Sequence, residues 1–269
     1  MTLILTEISR YGITMAADSA LLVPTLLPVE RQFIRRVYFG VTKLRPIPKL
    51  QAGISFWGDG KIGDIDTDLW LSDIIMRNEP NYNSIEEFAK LLCAQLREQV
   101  KPIADPKELR YGTVGFHVAG YVDVNGDRLP TFWHIHNGQS ERYHDIDPKT
   151  VNANNDLPPD FAQQCVDAVS KVGNEKWPLI RNGDFLTIYA PFIEVMKSLC
   201  DYLRTQNKVT IPTRTLKGRA EFLAFQIRTI RDLYDMSEDL LPSIGGNVAT
   251  LTILPDGTQS YFNPYDTTL

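Results

Sequence analysis

The chain reads as an α+β protein in which two antiparallel sheets stack between helix layers. Two observations predict this. Strand-like runs and stretches of helical period come in segregated blocks, in the order strands, helices, strands, helices, strands. Tight-turn signals, Asn125-Gly126 and Pro255-Asp256-Gly257, separate neighbouring strand runs and make them antiparallel partners. No internal repeat or low-complexity tract interrupts the 269 residues, so a single domain over 1–269 is expected, with an insertion at about 139–183.

Each element follows from local pattern. Residues 2–9 (TLILTEIS) and 12–17 (GITMAA) are apolar strands split at Arg10-Tyr11-Gly12, which predicts a hairpin. Pro24 and Pro28 predict an irregular excursion over 20–36. Strand patterning resumes at 37–47 and 50–57, and Gly58-Asp59-Gly60 ends it. Helices are predicted over 66–78 and 84–101; in the second, Ser84 and Glu87 form a capping box ahead of Phe88, Leu91, Leu92 and Leu96. Strands over 111–123 and 129–136 flank the Asn125-Gly126 turn. The polar run 139–175 reads as an exposed connection with one short helix. Helical period returns at 184–204 and 218–236, the latter with Phe222, Phe225, Ile227, Ile230 and Leu233 near one face. Strands over 247–254 and 258–262 close the chain.

Composition narrows the function. Hydrophobic residues make up 43% and charged residues 23%, ample for a core. Net charge is −5 with the cations dispersed, which argues against a nucleic-acid partner. No apolar run approaches the roughly 20 residues that span a bilayer, and no signal-peptide pattern opens the chain, so a cytoplasmic protein without a membrane partner is expected. Cys93, Cys165 and Cys200 lack CxxC spacing and read as reduced, buried thiols. His117, His134 and His136 fall on paired strands, but no acidic or cysteine ligand stands at diagnostic spacing; they read as half-buried or surface histidines rather than a zinc site. Asp64, Asp66 and Asp68 begin like a calcium loop and lack its glycine and glutamate, so they read as solvated carboxylates near a helix start. No metal and no cofactor are expected.

The opening MTLILTEISRYGITMAADSA carries Thr2 behind Met1, a glycine turn, and Asp18. It resembles the amino end of mature proteasome β subunits and related bacterial proteasome-like proteins, members of the N-terminal nucleophile (Ntn) hydrolases. The interval from Thr2 to Asp18 matches that family's interval from nucleophile to aspartate without a gap. The segment GFHVAGYVDVNGDRLPTFWHIHNG resembles the family's central hairpin, and SIGGNVATLTILPDG (243–257) its double-glycine turn and last strands. The resemblance implies a four-layer αββα sandwich and a threonine-type amidohydrolase: a peptidase subunit that acts on a peptide or amide substrate and assembles as a ring or helical homo-oligomer. No ATPase partner can be named from it.

The same resemblance assigns residues. Thr2 is the nucleophile, Asp18 the aspartate, Lys43 the lysine with Lys49 and Arg36 as competitors, and Gly58 the oxyanion donor. Ala20 stands where the family carries an arginine, and Trp57 and Asp59 flank Gly58, so these three are candidate substrate-pocket residues. The chemistry needs such types. A threonine hydroxyl attacks only when a base takes its proton, and an N-terminal threonine carries an amine of pKa near 8. Met1 must therefore be removed, which the small Thr2 permits without a long propeptide. A nearby lysine favours the deprotonated amine and hydroxyl, and an aspartate positions it.

Departures from the pattern are equally plain. The family's supporting serine in a glycine-serine loop has only RNGD (181–184) as a counterpart; the serine before the double glycine is Ile244, with Ser243 adjacent; and the aspartate ahead of it is Leu241, with Glu238 and Asp239 nearby. These open a second reading, a catalytically silent subunit acting as scaffold or binding protein, and a third, an amidase acting on a small molecule. An extra helix ahead of the first strand, expected of α-type subunits, is not seen before Thr2, which favours the active class.

Overall fold

The computed structural model describes residues 2–27, 32–99, 114–136, 152–153, 179–183, 188–211, 213–238 and 243–264. Its first sheet runs in the order β12 (Leu179–Gly183), β1 (Leu3–Ser9), β2 (Gly12–Ala17), β13 (Ala249–Ile253), β14 (Gln259–Phe262). The second runs β11 (Asn152–Ala153), β10 (Asp127–His136), β9 (Val114–Val124), β6 (Ala52–Gly58), β5 (Leu44–Ile47). All their pairings are antiparallel.

β1 is buried along its whole length because it has a layer on either side. Leu3 and Leu5 join Tyr189, Ile193, Leu223 and Ile227 beneath α3 (Ala190–Asn207) and α4 (Leu216–Asp235). Ile4 and Ile8 point the other way, into a cluster with Ile13, Met15, Trp57, Ala119 and Phe132 between the sheets. A strand covered on both faces reads as a near-continuous apolar run. On the far side, Ile54, Phe56, Phe116 and Val118 meet Trp70, Leu71, Phe88 and Leu92 of α1 (Thr67–Arg77) and α2 (Ile85–Gln99). The architecture is the expected four-layer αββα sandwich.

Two glycines make room for side chains packed between the sheets. A Cβ on Gly53 would overlap the side chains of Leu251 and Met15 from the opposite sheet, and one on Gly115 would overlap the Trp57 indole. Across the gap, Tyr261 Oη donates to the Leu44 carbonyl (2.7 Å) and Gln259 Nε2 to the Ala52 carbonyl (2.9 Å).

Several elements differ from expectation. The excursion over 20–36 is a hairpin of β3 (Leu21–Leu27) and β4 (Gln32–Tyr38), with Pro24 opposite Arg35. A two-stranded ribbon leaves one side of each strand without a ladder partner, so a missing N–H is tolerated there. The predicted strand 37–47 is therefore split between β4 and β5, with 39–43 irregular. Beyond Gly60 a small hairpin, β7 (Lys61–Ile62) and β8 (Ile65–Asp66), precedes α1. At the start of α2 Ser84 Oγ accepts the Glu87 N–H (3.1 Å), but Glu87 reaches back to the N–H of Asn83 rather than Ser84.

The expected insertion also contributes to the sheets: β11 adds to one edge and β12 lies along β1. The buried face of α4 is Ala220, Leu223, Ala224, Ile227, Ile230 and Tyr234; Phe225 points outward at 42% exposure and Phe222 is half-buried. Cys93 is a buried free thiol, Cys200 is only half-buried, and Cys165 lies outside the described residues. Among the described residues no helix is long and apolar enough to cross a membrane.

On the helix side of β1, Glu7 sits 3.3 Å from Arg219 of α4, and both are buried. Burial pushes the Glu7 carboxyl from 4.5 up to about 7, with Arg219 pulling it back. Between those values the folded chain holds a proton that the unfolded chain has released, so this group's contribution to stability falls as pH rises from 4.5 to 7. Glu7→Gln removes that dependence. Urea titrations at pH 5, 6 and 7 should show stability rising more steeply with pH in the variant than in the wild type, by up to about 1.4 kcal/mol per pH unit.

Candidate functional site

The antiparallel register pairs Ile4 with Ala17 and so carries the end of β2 back to the start of β1. Asp18 follows directly. Its N–H donates to the Leu3 carbonyl (3.3 Å), and its Oδ1 accepts the Leu3 N–H (3.0 Å). The same Oδ1 accepts from Lys43 Nζ at 2.9 Å. The other oxygen, Oδ2, accepts the N–H of Ala20 (3.1 Å) and of Gly245 (3.2 Å). The carboxylate thus holds four donors, and neither its side chain nor that of Lys43 has any exposure.

Such a pair is costly to bury and persists only when every lone pair is used. Burial pulls the Lys43 ammonium below its usual range, and the charge and hydrogen bond of Asp18 pull it back. Lys43 enters from the irregular 39–43 segment, anchored where its carbonyl accepts the Phe56 N–H (3.0 Å) of β6. Of its competitors, Lys49 donates to the Glu79 carbonyl (2.6 Å) on the surface, and Arg36 lies on β4 opposite Val23. Lys43 is the cation that meets Asp18.

Thr2 is bonded to Leu3, the residue whose N–H the Asp18 carboxylate holds, and is itself 1% exposed. Gly183 of β12 packs against it: at φ +108°, a Cβ there would overlap the Thr2 carbonyl. Gly58 ends β6 with φ 94° and is half-buried. Asp59 beside it accepts the Lys61 N–H (3.4 Å); burial raises its carboxyl to about 6, and the N–H groups of Lys61 and Gly60 counter that. Ala20 is fully buried, and what it gives the site is its N–H.

Trp57 is also buried and donates its indole N–H to His134 Nε2 (3.3 Å). The three histidines are not half-buried or at the surface: His117, His134 and His136 are 0%, 7% and 5% exposed, because the face they share is covered by the opposite sheet. His117 lies between Thr6 Oγ1 (3.1 Å to Nδ1) and Asn182 Oδ1 (2.6 Å to Nε2). Its ring meets His134 edge-on at 5.3 Å, and His134 stacks on His136 at 4.4 Å. Burial lowers His117 to about 4 and His134 well below its usual value, so both are neutral near pH 7. Asn182 accepts, so His117 carries its proton on Nε2 and receives the Thr6 hydroxyl at Nδ1. Among the described residues no cluster of His, Cys, Asp or Glu is arranged to hold a metal ion. Asp64 and Asp66 are exposed, while Asp68 is half-buried and accepts the N–H groups of Thr42 and Leu69.

Three contributors escape sequence reasoning. Gly245 acts through a backbone N–H, Gly183 through the side chain it lacks, and Asn182 through a bond to the opposite sheet. The double glycine and RNGD are the only sequence signals for them. Ser243 is buried, Ile244 lies in the apolar cluster under α3 and α4, and Glu238 is exposed. Asp184, Asp239 and Leu241 lie outside the described residues.

No protein-family model and no curated protein matches the chain. Solved structures similar to it include an Anbu (Gly-1) mutant from Hyphomicrobium sp. strain MC1, at 12% identity and a TM-score of 0.48, over 99% of this chain and 89% of that one. Another is Anbu (ancestral beta-subunit) from Yersinia bercovieri, at 14% identity and a TM-score of 0.48, over 98% of this chain and 89% of that one. These findings overturn the assignment to proteasome β subunits and bacterial proteasome-like proteins that the sequence resemblance implied: likeness of that degree assigns neither membership nor activity.

The buried pair makes a direct prediction. Lys43→Met and Asp18→Asn should each lower the unfolding free energy by about 3–5 kcal/mol, since each strands a buried partner. The double variant should lose clearly less than the sum, because the two changes remove one shared interaction. Chemical denaturation of the four proteins at pH 7 measures this.

Proposed function

We propose that the chain is a threonine-type N-terminal nucleophile amidohydrolase, with Thr2 as nucleophile once the Met1–Thr2 bond is cut. The observation that supports it is the buried Asp18 carboxylate, which binds at one oxygen both the Lys43 ammonium and the N–H of the residue after Thr2. An isolated turn aspartate needs no such cation.

In this reading the Thr2 hydroxyl oxygen bonds to the amide carbon while its proton passes to the Thr2 α-amine. The Lys43 charge favours the neutral amine and the deprotonating hydroxyl. The carbonyl electrons move to oxygen, where the Gly58 N–H serves as donor. Collapse breaks the C–N bond, and the leaving amine takes the proton held by the Thr2 ammonium. Water then attacks the threonyl ester, releasing the acid and restoring the hydroxyl. Asp59, beside Gly58, bounds the substrate side, and the substrate is a peptide or a smaller amide. Ala20 contributes only its N–H to Asp18, and Trp57 packs between the sheets rather than against substrate.

Assembly into a homo-oligomer is supported by Val195, Leu199 and Tyr202. They form one exposed stripe along α3 at 67%, 45% and 61% exposure. A second reading, a silent scaffold, draws on Ile244, which is packed into an apolar cluster where a supporting serine is needed.

Intact mass after incubation with a threonine-directed β-lactone tests the proposal. The expected result is loss of Met1 and one adduct, absent in Thr2→Ala. Quantitative retention of Met1 leaves the amine on the wrong residue and hands the protein to the scaffold reading.

A further inference from the structure

The polar seam between the sheets has no part in the proposed chemistry, yet its ends lie next to two elements of it. Asn182, which His117 holds, immediately precedes Gly183, whose backbone packs on Thr2. Trp57, which His134 holds, immediately precedes Gly58. The two rings are in contact with each other. Interior hydrogen bonds of this kind are expensive to leave unmade, so a seam of polar groups in an apolar layer asks for a reason.

Strand β12 supplies one. Among the described residues it is an edge strand, paired to β1 alone, and its residues are half-buried throughout. Its register, Leu3 against Gly183 and Ile4 against Asn182, sets where the Gly183 backbone lies on Thr2. Apolar packing specifies register weakly in such a strand. A bond from the opposite sheet to one of its side chains specifies it strongly, since a slip of one residue would turn Asn182 away from His117.

We propose that His117 is a positioning residue for the Thr2 site: gripping Thr6 of β1 and Asn182 of β12 together, it fixes the edge strand so that Gly183 seats against Thr2. This rests on the reading of Thr2 as nucleophile. His117 touches neither Thr2 nor substrate in this role. It acts through Asn182.

The imidazole offers two substitutions that split its bonds. Glutamine reaches the Nε2 position and can donate to Asn182 while losing the Thr6 acceptor. Asparagine reaches only the Nδ1 position, keeps the Thr6 acceptor and loses Asn182. The experiment measures the saturating rate of Thr2 acylation by the β-lactone, by intact mass, in the wild type, His117→Gln and His117→Asn, with the melting temperature of each. His117→Gln is expected to keep most of the rate, while His117→Asn loses about tenfold or more in the saturating rate, as a misplaced near-attack geometry does, with little change in half-saturating concentration. Asn182→Ala, on the partly exposed edge strand, should reproduce the asparagine result and takes its place as the test if His117→Asn does not fold.

Equal rates in the two His117 variants, or a full rate in Asn182→Ala, would overturn the positioning role and leave Thr2 as nucleophile. A wild-type protein that loses Met1 and forms no adduct overturns the reading it rests on, and the positioning role with it.

Discussion

Everything at the candidate site depends on how one buried carboxylate is satisfied. Asp18 has two oxygens and four donors, and those donors come from four places: β1, the 39–43 segment, its own turn, and the turn before β13. A carboxylate removed from water is tolerated only with such a set. Conversely, the set draws the four segments together: Ser19 donates its N–H to the Gly245 carbonyl, and Val41 donates to the Ser19 carbonyl. The ion pair and the backbone that frames it form one unit, and losing a donor costs a desolvated charge as well as a contact.

The stacking of the sheets has the opposite character. Apart from the histidine seam and the Tyr261 and Gln259 bonds, the contacts between them are apolar and close, and room for them comes from what is missing at Gly53 and Gly115. Those gaps admit Leu251, Met15 and the Trp57 indole, which fill the interior to a depth that shuts water out. The same dryness keeps His117 and His134 neutral and holds down the Lys43 ammonium. Burial therefore works against positive charge both at the histidines and at Lys43, and at Lys43 the Asp18 carboxylate opposes it.

What is legible in the sequence is local. The Thr2 to Asp18 interval lies within one hairpin, whose register follows from its turn and its apolar pattern. Lys43 is harder, because Pro24 argues for an irregular excursion ahead of it, whereas a two-stranded ribbon accepts a proline. Gly245 is beyond reach as a donor: a backbone N–H has no side-chain signature, and this one lies 227 residues from its acceptor. The histidines show a third limit. Period-two spacing places His134 and His136 on the same face, as the structure has them, but only the opposite sheet decides that this face is dry. The face of α4 is misread for a related reason, since Phe225 is apolar by type and outward by position.

β1 is where these constraints meet. Its odd residues, Leu3, Leu5 and Glu7, serve the helix layer, and its even residues, Ile4, Thr6 and Ile8, serve the sheet interface. A slip of one residue would move Thr2 by about 3.3 Å and exchange the two faces, driving Thr6 into the helix-side core and Glu7 into the interface. Three contacts oppose the slip: Leu3 with Asp18, Thr6 with His117, and the Thr2 carbonyl with Gly183. The first acts from the same sheet, the second from the opposite one and the third from the edge strand. All three act through the backbone of Thr2 or through side chains and backbone further along β1, so none of them calls on the Thr2 hydroxyl. A hydroxyl that the register does not need can be given to chemistry without loosening the strand that presents it.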